Sequence, residues 1–470
     1  MTSGNGFDPK RVLSIQLNRR SLVKGAAAGA AALGIPSVMR PGRTVAQNAT
    51  LNILALDWPQ TPTEQQLATD VFTAETGIAV QIERNQYDFM EQRIQQLVAG
   101  DSTDYDIYHY DSQWIGGMVA RTALEPLDGP DYLGNSASTI KFEDFFPELS
   151  FRIGKYPTVD AELTAGTFDP SIPTYGLPWS LNSQALWYRT DLVSTPPTTW
   201  DELREMAKSL TSGDVYGMAF EGSRNGDFIT VDFLPIMWSN GGTLWDPATY
   251  TAEGFVNSPE AVQALQFMSD MVNVEKSVDP ASGNWTIGER LAAIIQGKTA
   301  MSLNWVPLFG GVAEDEEQSL VAGKIGLATS PAGSAGQYSM FGCQGTGINA
   351  LSEQKDIAWQ YLQWLESNET QAAMMAVEGA GFISARQDLR DAAQFPWQQK
   401  LLEMVPIVRD MWNIPEYAPL LTSLQTELNL GYIGRKDPQE ALDDAATAHQ
   451  AILDASPDKA TAGAAGTPTP

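Results

Sequence analysis

Aromatic residues stand beside short polar ones at several points of this chain: Asp57-Trp58, Gln86-Tyr87, Tyr110-Asp111, Trp179-Ser180, Trp238-Ser239-Asn240 and Asn304-Trp305. A flat ring offers an apolar face for stacking, and a neighbouring carboxylate or amide offers hydrogen bonds. Each pair therefore suits a small solute that carries hydroxyls or an amine on an apolar frame. Catalysis has no comparable support. Ser352–Lys355 and Ser456–Lys459 match S-x-x-K, but so does Ser21–Lys24, and the companion motifs are missing. There is no H-E-x-x-H, nucleophile elbow or phosphate-binding loop. Two histidines and one cysteine make a transition-metal cage untenable, and the acidic group Asp101, Asp104 and Asp106 lacks the turn glycine of a calcium loop. The expectation is a binder without cofactor or metal, not an enzyme.

The elements that must position these residues can be read from apolar periodicity. Leu51–Leu56 is a short apolar run ending at Asp57-Trp58, and predicts a buried strand. Leu67, Val71 and Phe72 recur at helical spacing, with Gly77 as a left-handed stop. Ile78–Ile82 predicts a second strand. Asp88 and Glu91 have capping-box spacing ahead of a helix with Met90, Ile94, Leu97 and Val98 on one face and Gly100 at its end. Tyr105–Tyr110 predicts a third strand. A β-α-β-α-β order makes a parallel sheet. In open sheets of this kind ligands lie beyond the carboxyl ends of the strands, here at Asp57-Trp58, Tyr87 and Tyr110-Asp111.

The first 46 residues address the protein outward. Arg19-Arg20 and Lys24 precede a small, weakly apolar run, Gly25–Ile35, and Thr44-Val45-Ala46 offers a small-x-small cleavage site. The paired arginines resemble a twin-arginine signal. The apolar run is too short to span a bilayer, and the cleavage site has no cysteine to carry a lipid, so the expectation is a periplasmic or extracellular protein, not lipid-anchored. The signal carries a net charge of +6, so its removal takes the formal charge from −28 to −34 over 424 residues. That surface repels nucleic acid and anionic lipid. The length exceeds one ordinary core and predicts two lobes. Ser456–Pro470, rich in Ala, Gly, Thr and Pro, is expected to be disordered. Cys343 is expected to be a small buried hydrophobe.

Further along, Tyr175–Trp179 leads into Leu186–Leu192, then Pro197–Leu203 with a capping pattern at Thr199 and Glu202. Ser258-Pro259 opens another helix. Gln296–Trp305 passes from helix to strand, Trp359–Leu365 is helical, and Ile414–Tyr417 precedes two C-terminal helices, the second opened by Asp437-Pro438. Trp200, Trp359 and Trp364 lie on helical faces and are assigned to the core. His109 is expected to be a packed strand histidine and His449 a surface residue.

These phrases, in this order from Leu51 to about Leu453, resemble the extracellular (periplasmic) solute-binding proteins of ABC importers, in the sugar-binding branch similar to maltose-binding protein. The resemblance implies an α/β fold of two lobes, each a mainly parallel sheet flanked by helices, with a ligand cleft at the hinge. Lobe 1 would comprise 47–180 and 341–385, and lobe 2 would comprise 181–340 and 386–455. The hinge crossings would fall near Pro178–Ala185, Gln337–Cys343 and Phe382–Leu389. It also implies a monomeric receptor that closes on a sugar and presents both lobes to permease subunits. On that reading the ligand contacts are Asp57, Trp58, Tyr87, Tyr110, Asp111, Trp179, Asn182, Trp238, Asn240, Trp305 and Gln344. Asn182 occupies the family's hinge-side contact position. Gly342-Cys343-Gln344 departs from the Gly-Gly-Trp-like phrase common there. Two alternatives remain open: a polyamine or other small-solute receptor, which also uses aromatics with carboxylates, and a secreted glycan-active enzyme using two carboxylates.

Overall fold

The computed structural model describes residues 49–459. The expected export signal lies outside them, as does most of the tail. Of the tail, residues 456–459 are described. Ser456 is buried and accepts a hydrogen bond from the Asp458 N–H, and Lys459 pairs with Asp454 at 2.5 Å.

Nine strands build two sheets: β1 (Thr50–Leu56), β2 (Ala79–Asn85), β3 (Ile107–Asp111), β4 (Leu177–Ser180), β5 (Gln184–Arg189), β6 (Tyr216–Ala219), β7 (Thr299–Trp305), β8 (Ile325–Ala328) and β9 (Gln344–Ile348). The first sheet has the order β2-β1-β3-β9-β4 and the second β6-β7-β5-β8. β1 runs parallel to both β2 and β3, with Leu56 opposite Asn85 and Leu54 opposite Tyr108. The expected β-α-β-α-β unit is therefore present. β1 is fully enclosed from Ile53 to Leu56, as a strand covered by helices on both faces must be. The helix after it, Thr61–Thr76, carries a π-helical turn at Ala68–Thr73 and stops at Gly77, whose φ of 76° only glycine adopts cheaply.

Helix Tyr87–Ala99 packs Met90 and Ile94 inward. Asp88 does not cap it: the helix starts two residues earlier than such a cap would set, with Gln86 at the N-cap and no side-chain cap bond. Asp88 instead lies in the first turn, where its charge favours the positive end of the helix. Other starts follow the letters. Ser258 accepts from the Ala261 N–H ahead of Pro259, and Thr199 accepts from the Glu202 N–H.

The second lobe is centred on helix Phe228–Ser239, every residue of which is buried, as an all-round apolar helix requires. Helices Pro259–Asn273, Tyr417–Tyr432 and Pro438–Asp454 wrap around it. His449 belongs to this packing rather than to the surface. It is fully buried, its Nε2 lies 2.9 Å from the Leu420 carbonyl, and its ring meets Trp412 edge-on. Ala445, Ala446 and Leu453 share its helix face at spacings of three and four, so the buried stripe includes it. Trp200, Trp359 and Trp364 are core residues, and His109 is packed, its Nε2 3.4 Å from Glu64. Arg290, wholly buried, reaches Glu221 at 2.7 Å and Asp232 at 2.5 Å.

The chain passes between the sheets at Leu181–Ser183, again ahead of β9, and once more after Ile383. There the Leu181 N–H donates to the Ile383 carbonyl and Ser180 bridges to Ser384.

Candidate functional site

The carboxyl ends of β1, β2 and β3 meet the second lobe. β1 delivers Asp57 and Trp58, β2 hands over to the helix that begins at Tyr87, and β3 ends on Asp111 and turns through Ser112–Trp114. Three rings form a wall: Trp58 and Tyr87 have centroids 5.9 Å apart, Tyr87 and Trp114 5.6 Å. Tyr87 donates to Asp227 Oδ2 at 2.9 Å, from the residue that precedes the central helix of the second lobe. Gln113 Nε2 donates to the Tyr87 hydroxyl at 3.0 Å. Ser112 Oγ donates to Asp410 Oδ2 at 2.6 Å.

Three carboxyl groups thus gather where the lobes meet. Burial first, then the charges of Asp227 and Asp410, hold the Asp111 carboxyl well above the usual range. Burial pushes Asp227 up to about 6 against the hydrogen bond from Tyr87, and Asp410 up to about 7. Burial also raises Tyr87 and Tyr417, and the surrounding aspartates add to it. Among the described residues none of the three aspartates forms an ion pair. The nearby cations are otherwise engaged: Arg290 with Asp232 and Glu221, and Arg152 and Arg409 with Asp160.

A second group lies at the crossings. Trp305 ends β7 opposite Gln184 and its ring rests on Gly342, where a Cβ would stand 2.3 Å from it. That contact accounts for the glycine. Cys343, buried as expected, staples two crossings: its Sγ accepts from the Asn182 N–H at 3.1 Å and donates to the Asn182 carbonyl at 3.2 Å. Gln344 lies opposite Asp111 in register, and its Oε1 accepts from Ser180 at 3.1 Å and Gln60 at 3.4 Å. The Asn182 Oδ1 is buried with no partner.

The structure therefore brings Trp58, Tyr87 and Asp111 into one group and Asn182, Trp305 and Gln344 into its neighbour. Asp57 stands at the edge, paired with Arg84 at 3.1 Å. Four expected contacts are elsewhere. Tyr110 is fully enclosed and donates to the Ile153 carbonyl at 2.7 Å, because adjacent strand residues face opposite sides and Asp111 takes the side toward the second lobe. Trp179 is enclosed edge-on to His109 at 4.5 Å. Trp238 is packed within its helix, with the Arg409 guanidinium 5.4 Å above its ring. Asn240 closes that helix, donating to the Ile236 carbonyl at 2.8 Å. Gln113, Asp227, Asp410 and Tyr417 were not singled out as contacts from the sequence. None carried a signal of its own: Asp410 stands two residues from Trp412, not beside it as Asp57 stands beside Trp58.

Comparison with known proteins places this geometry. Residues 57–372 match the family described as bacterial extracellular solute-binding protein. A probable ABC transporter-binding protein of Deinococcus radiodurans is 28% identical over 325 residues, covering 66% of this chain and 70% of its own. Among solved structures, the ribitol complex of an ABC transporter solute-binding protein from Agrobacterium radiobacter has a TM-score of 0.72 at 25% identity, covering 86% of this chain and 98% of its own. Maltose-bound MalE3 of T. maritima has a TM-score of 0.72 at 22% identity, covering 86% and 100%. With the family matched over most of its length and the two-lobed fold in place, the chain belongs to the bacterial extracellular solute-binding proteins, which are receptors and not enzymes.

Proposed function

We propose that the chain is the extracytoplasmic receptor of an ABC importer, which captures a sugar or polyol between its lobes and hands it to permease subunits. The observation that carries this reading is the meeting of a three-ring wall on one lobe with Asp227 of the other through the 2.9 Å bond from Tyr87. A solute held there would touch both lobes and so favour the closed form. Similar structures with bound maltose, ribitol and mannitol support a polyhydroxylated ligand. The receptor is a monomer with lobes 47–180 plus 341–385 and 181–340 plus 386–455, exported by its twin-arginine signal and free of a lipid anchor. No helix among the described residues is long and apolar enough to cross a membrane.

A thermal-shift screen of sugars and polyols, followed by solution scattering with each hit, tests the receptor. A hit should raise the melting temperature and reduce the radius of gyration with the lobes unchanged. A hit that leaves the radius of gyration unaltered would refute the clamp. For export, Arg19→Lys with Arg20→Lys should leave precursor in the cytoplasm, and normal amounts of mature protein would refute the twin-arginine route.

A further inference from the structure

The polar lining where the lobes meet is unbalanced. Asp111, Asp227 and Asp410 all turn carboxyl groups into one enclosed region, and all three are at least nine-tenths buried. The donors that reach them are few: the Ser112 N–H and the Tyr87 hydroxyl to Asp111, Tyr87 and a backbone N–H to Asp227, and Ser112 Oγ with the Met411 N–H to Asp410. None of these carries charge. Beside the cluster, two buried amide oxygens also lack a donor: Asn182 Oδ1, whose residue is 8% exposed, and Gln60 Oε1, at 2%. Asn182 is tied through its backbone to Cys343, which lies in the field of Asp111 and Asp410, and Gln60 reaches Gln344, the register partner of Asp111. Two buried donors also lack partners there, Trp58 Nε1 in the ring wall and Trp412 Nε1 two residues from Asp410, so the surplus is one of negative charge: three carboxyl groups with no cation of their own.

A neutral polyol could donate hydroxyls to these oxygens but would leave three carboxyl groups enclosed together with no counter-charge. Burial of unpaired charge is costly, and closure around a neutral solute would have to take up protons to proceed. A protonated amine supplies two or three donors and the missing charge in one group. The neighbouring ring wall of Trp58, Tyr87 and Trp114 suits the same group, since a cation is attracted to aromatic faces.

From this surplus we infer that the solute carries a positive charge, namely a sugar or polyol bearing a protonated amine, held by Asp111, Asp227 and Asp410 against the Trp58–Tyr87–Trp114 wall. This rests on the receptor reading above and narrows its ligand class. Other charged or titratable groups facing the three aspartates are accounted for. Asp227 faces Asp88, Glu91, Tyr87 and Tyr417, and also Glu221 and Arg290, the latter held by Glu221 and Asp232. Asp410 faces Asp160 and Arg152, which pair with one another. Asp111 faces Tyr87, Tyr417 and the Cys343 thiol besides the other two aspartates.

The test is calorimetric titration of the mature protein at pH 7.5 with matched probes: glucamine against sorbitol, the β-1,4 disaccharide of glucosamine against cellobiose, and spermidine as an amine without hydroxyls. An amine-bearing probe should bind at least tenfold more tightly than its neutral partner. Its affinity should fall at least tenfold from pH 7.5 to pH 5, as the carboxylates protonate, and at least fivefold in Asp227→Asn and Asp410→Asn proteins whose melting curves stay intact. The inference is overturned if the neutral partner binds as tightly, or if the Asn variants bind the amine unchanged. Neutral sugars or polyols binding more tightly would remove the charge and keep the receptor. Spermidine binding without any sugar or polyol would keep the charge and remove the sugar reading. Failure of every probe would overturn both.

Discussion

The hydroxyl of Tyr87, on the first lobe, donates to the carboxylate of Asp227, on the second, across 2.9 Å and 140 positions of sequence. One side chain therefore connects the ring wall to the buried acids, and the same bond opposes the burial that raises Asp227.

Replacing Tyr87 by Phe keeps the ring and removes the bond. A hydrogen bond to a charged group contributes about 1.5–3 kcal/mol, so the closed population of the ligand-free protein should fall by about tenfold or more. Distance distributions between spin labels on the two lobes would measure it. An unchanged distribution would mean that the bond contributes nothing to closure.

The pH response follows from Asp227 and Asp410, raised to about 6 and about 7 from 3.8. In this window the folded, closed protein binds more protons than the unfolded chain, so stability must decline as pH rises. The contribution is fully present below about pH 4 and is lost as pH passes through 6 to 7. The melting temperature of the ligand-free protein should fall between pH 5 and pH 8, and Asp410→Asn should flatten part of that slope. A melting temperature that rises over this interval would contradict the assignment.

Two tryptophans separate wall from core. Trp179→Ala empties an enclosed site and should cost about 3–5 kcal/mol in denaturant unfolding, with ligand affinity unaffected in the protein that remains folded. Trp58→Ala removes a half-buried ring and should weaken ligand binding by about one to two decades while melting stays within a few degrees. Exchange of these two outcomes would place Trp179 in the cleft.

Arg290 pairs with both Glu221 and Asp232, and all three side chains are fully buried. Arg290→Gln should cost about 3–5 kcal/mol, because removing one partner strands the other charges. Adding Glu221→Gln should recover part of that loss, and urea unfolding of the single and double variants measures both.

The strands and helices of the first lobe were legible because Leu51–Leu56 and Met90–Val98 state their periods openly and Gly77 marks an end by its own conformational limits; in the second lobe Ser258-Pro259 marks a helix start in the same way. Side-chain direction was less legible. Tyr110 and Asp111 looked equally placed at a strand end, yet alternation sends one into the core and the other toward the second lobe. Asp227 and Asp410 acquire meaning only by convergence, since each alone is an ordinary carboxylate before an apolar stretch. His449 was misjudged as surface although its spacing from Ala445 and Ala446 marks the buried stripe.

β9 lies between β3 and β4, with all of β5 to β8 intervening in the sequence. During synthesis the first lobe therefore exists as two separate fragments, β1–β3 and β4, until residues 344–348 leave the ribosome. The second lobe waits longer still for helices Tyr417–Tyr432 and Pro438–Asp454. Neither lobe can fold vectorially ahead of the other, unlike domains strung in series. A chain cut at residue 340 would not release one finished lobe; it would leave two unfinished ones.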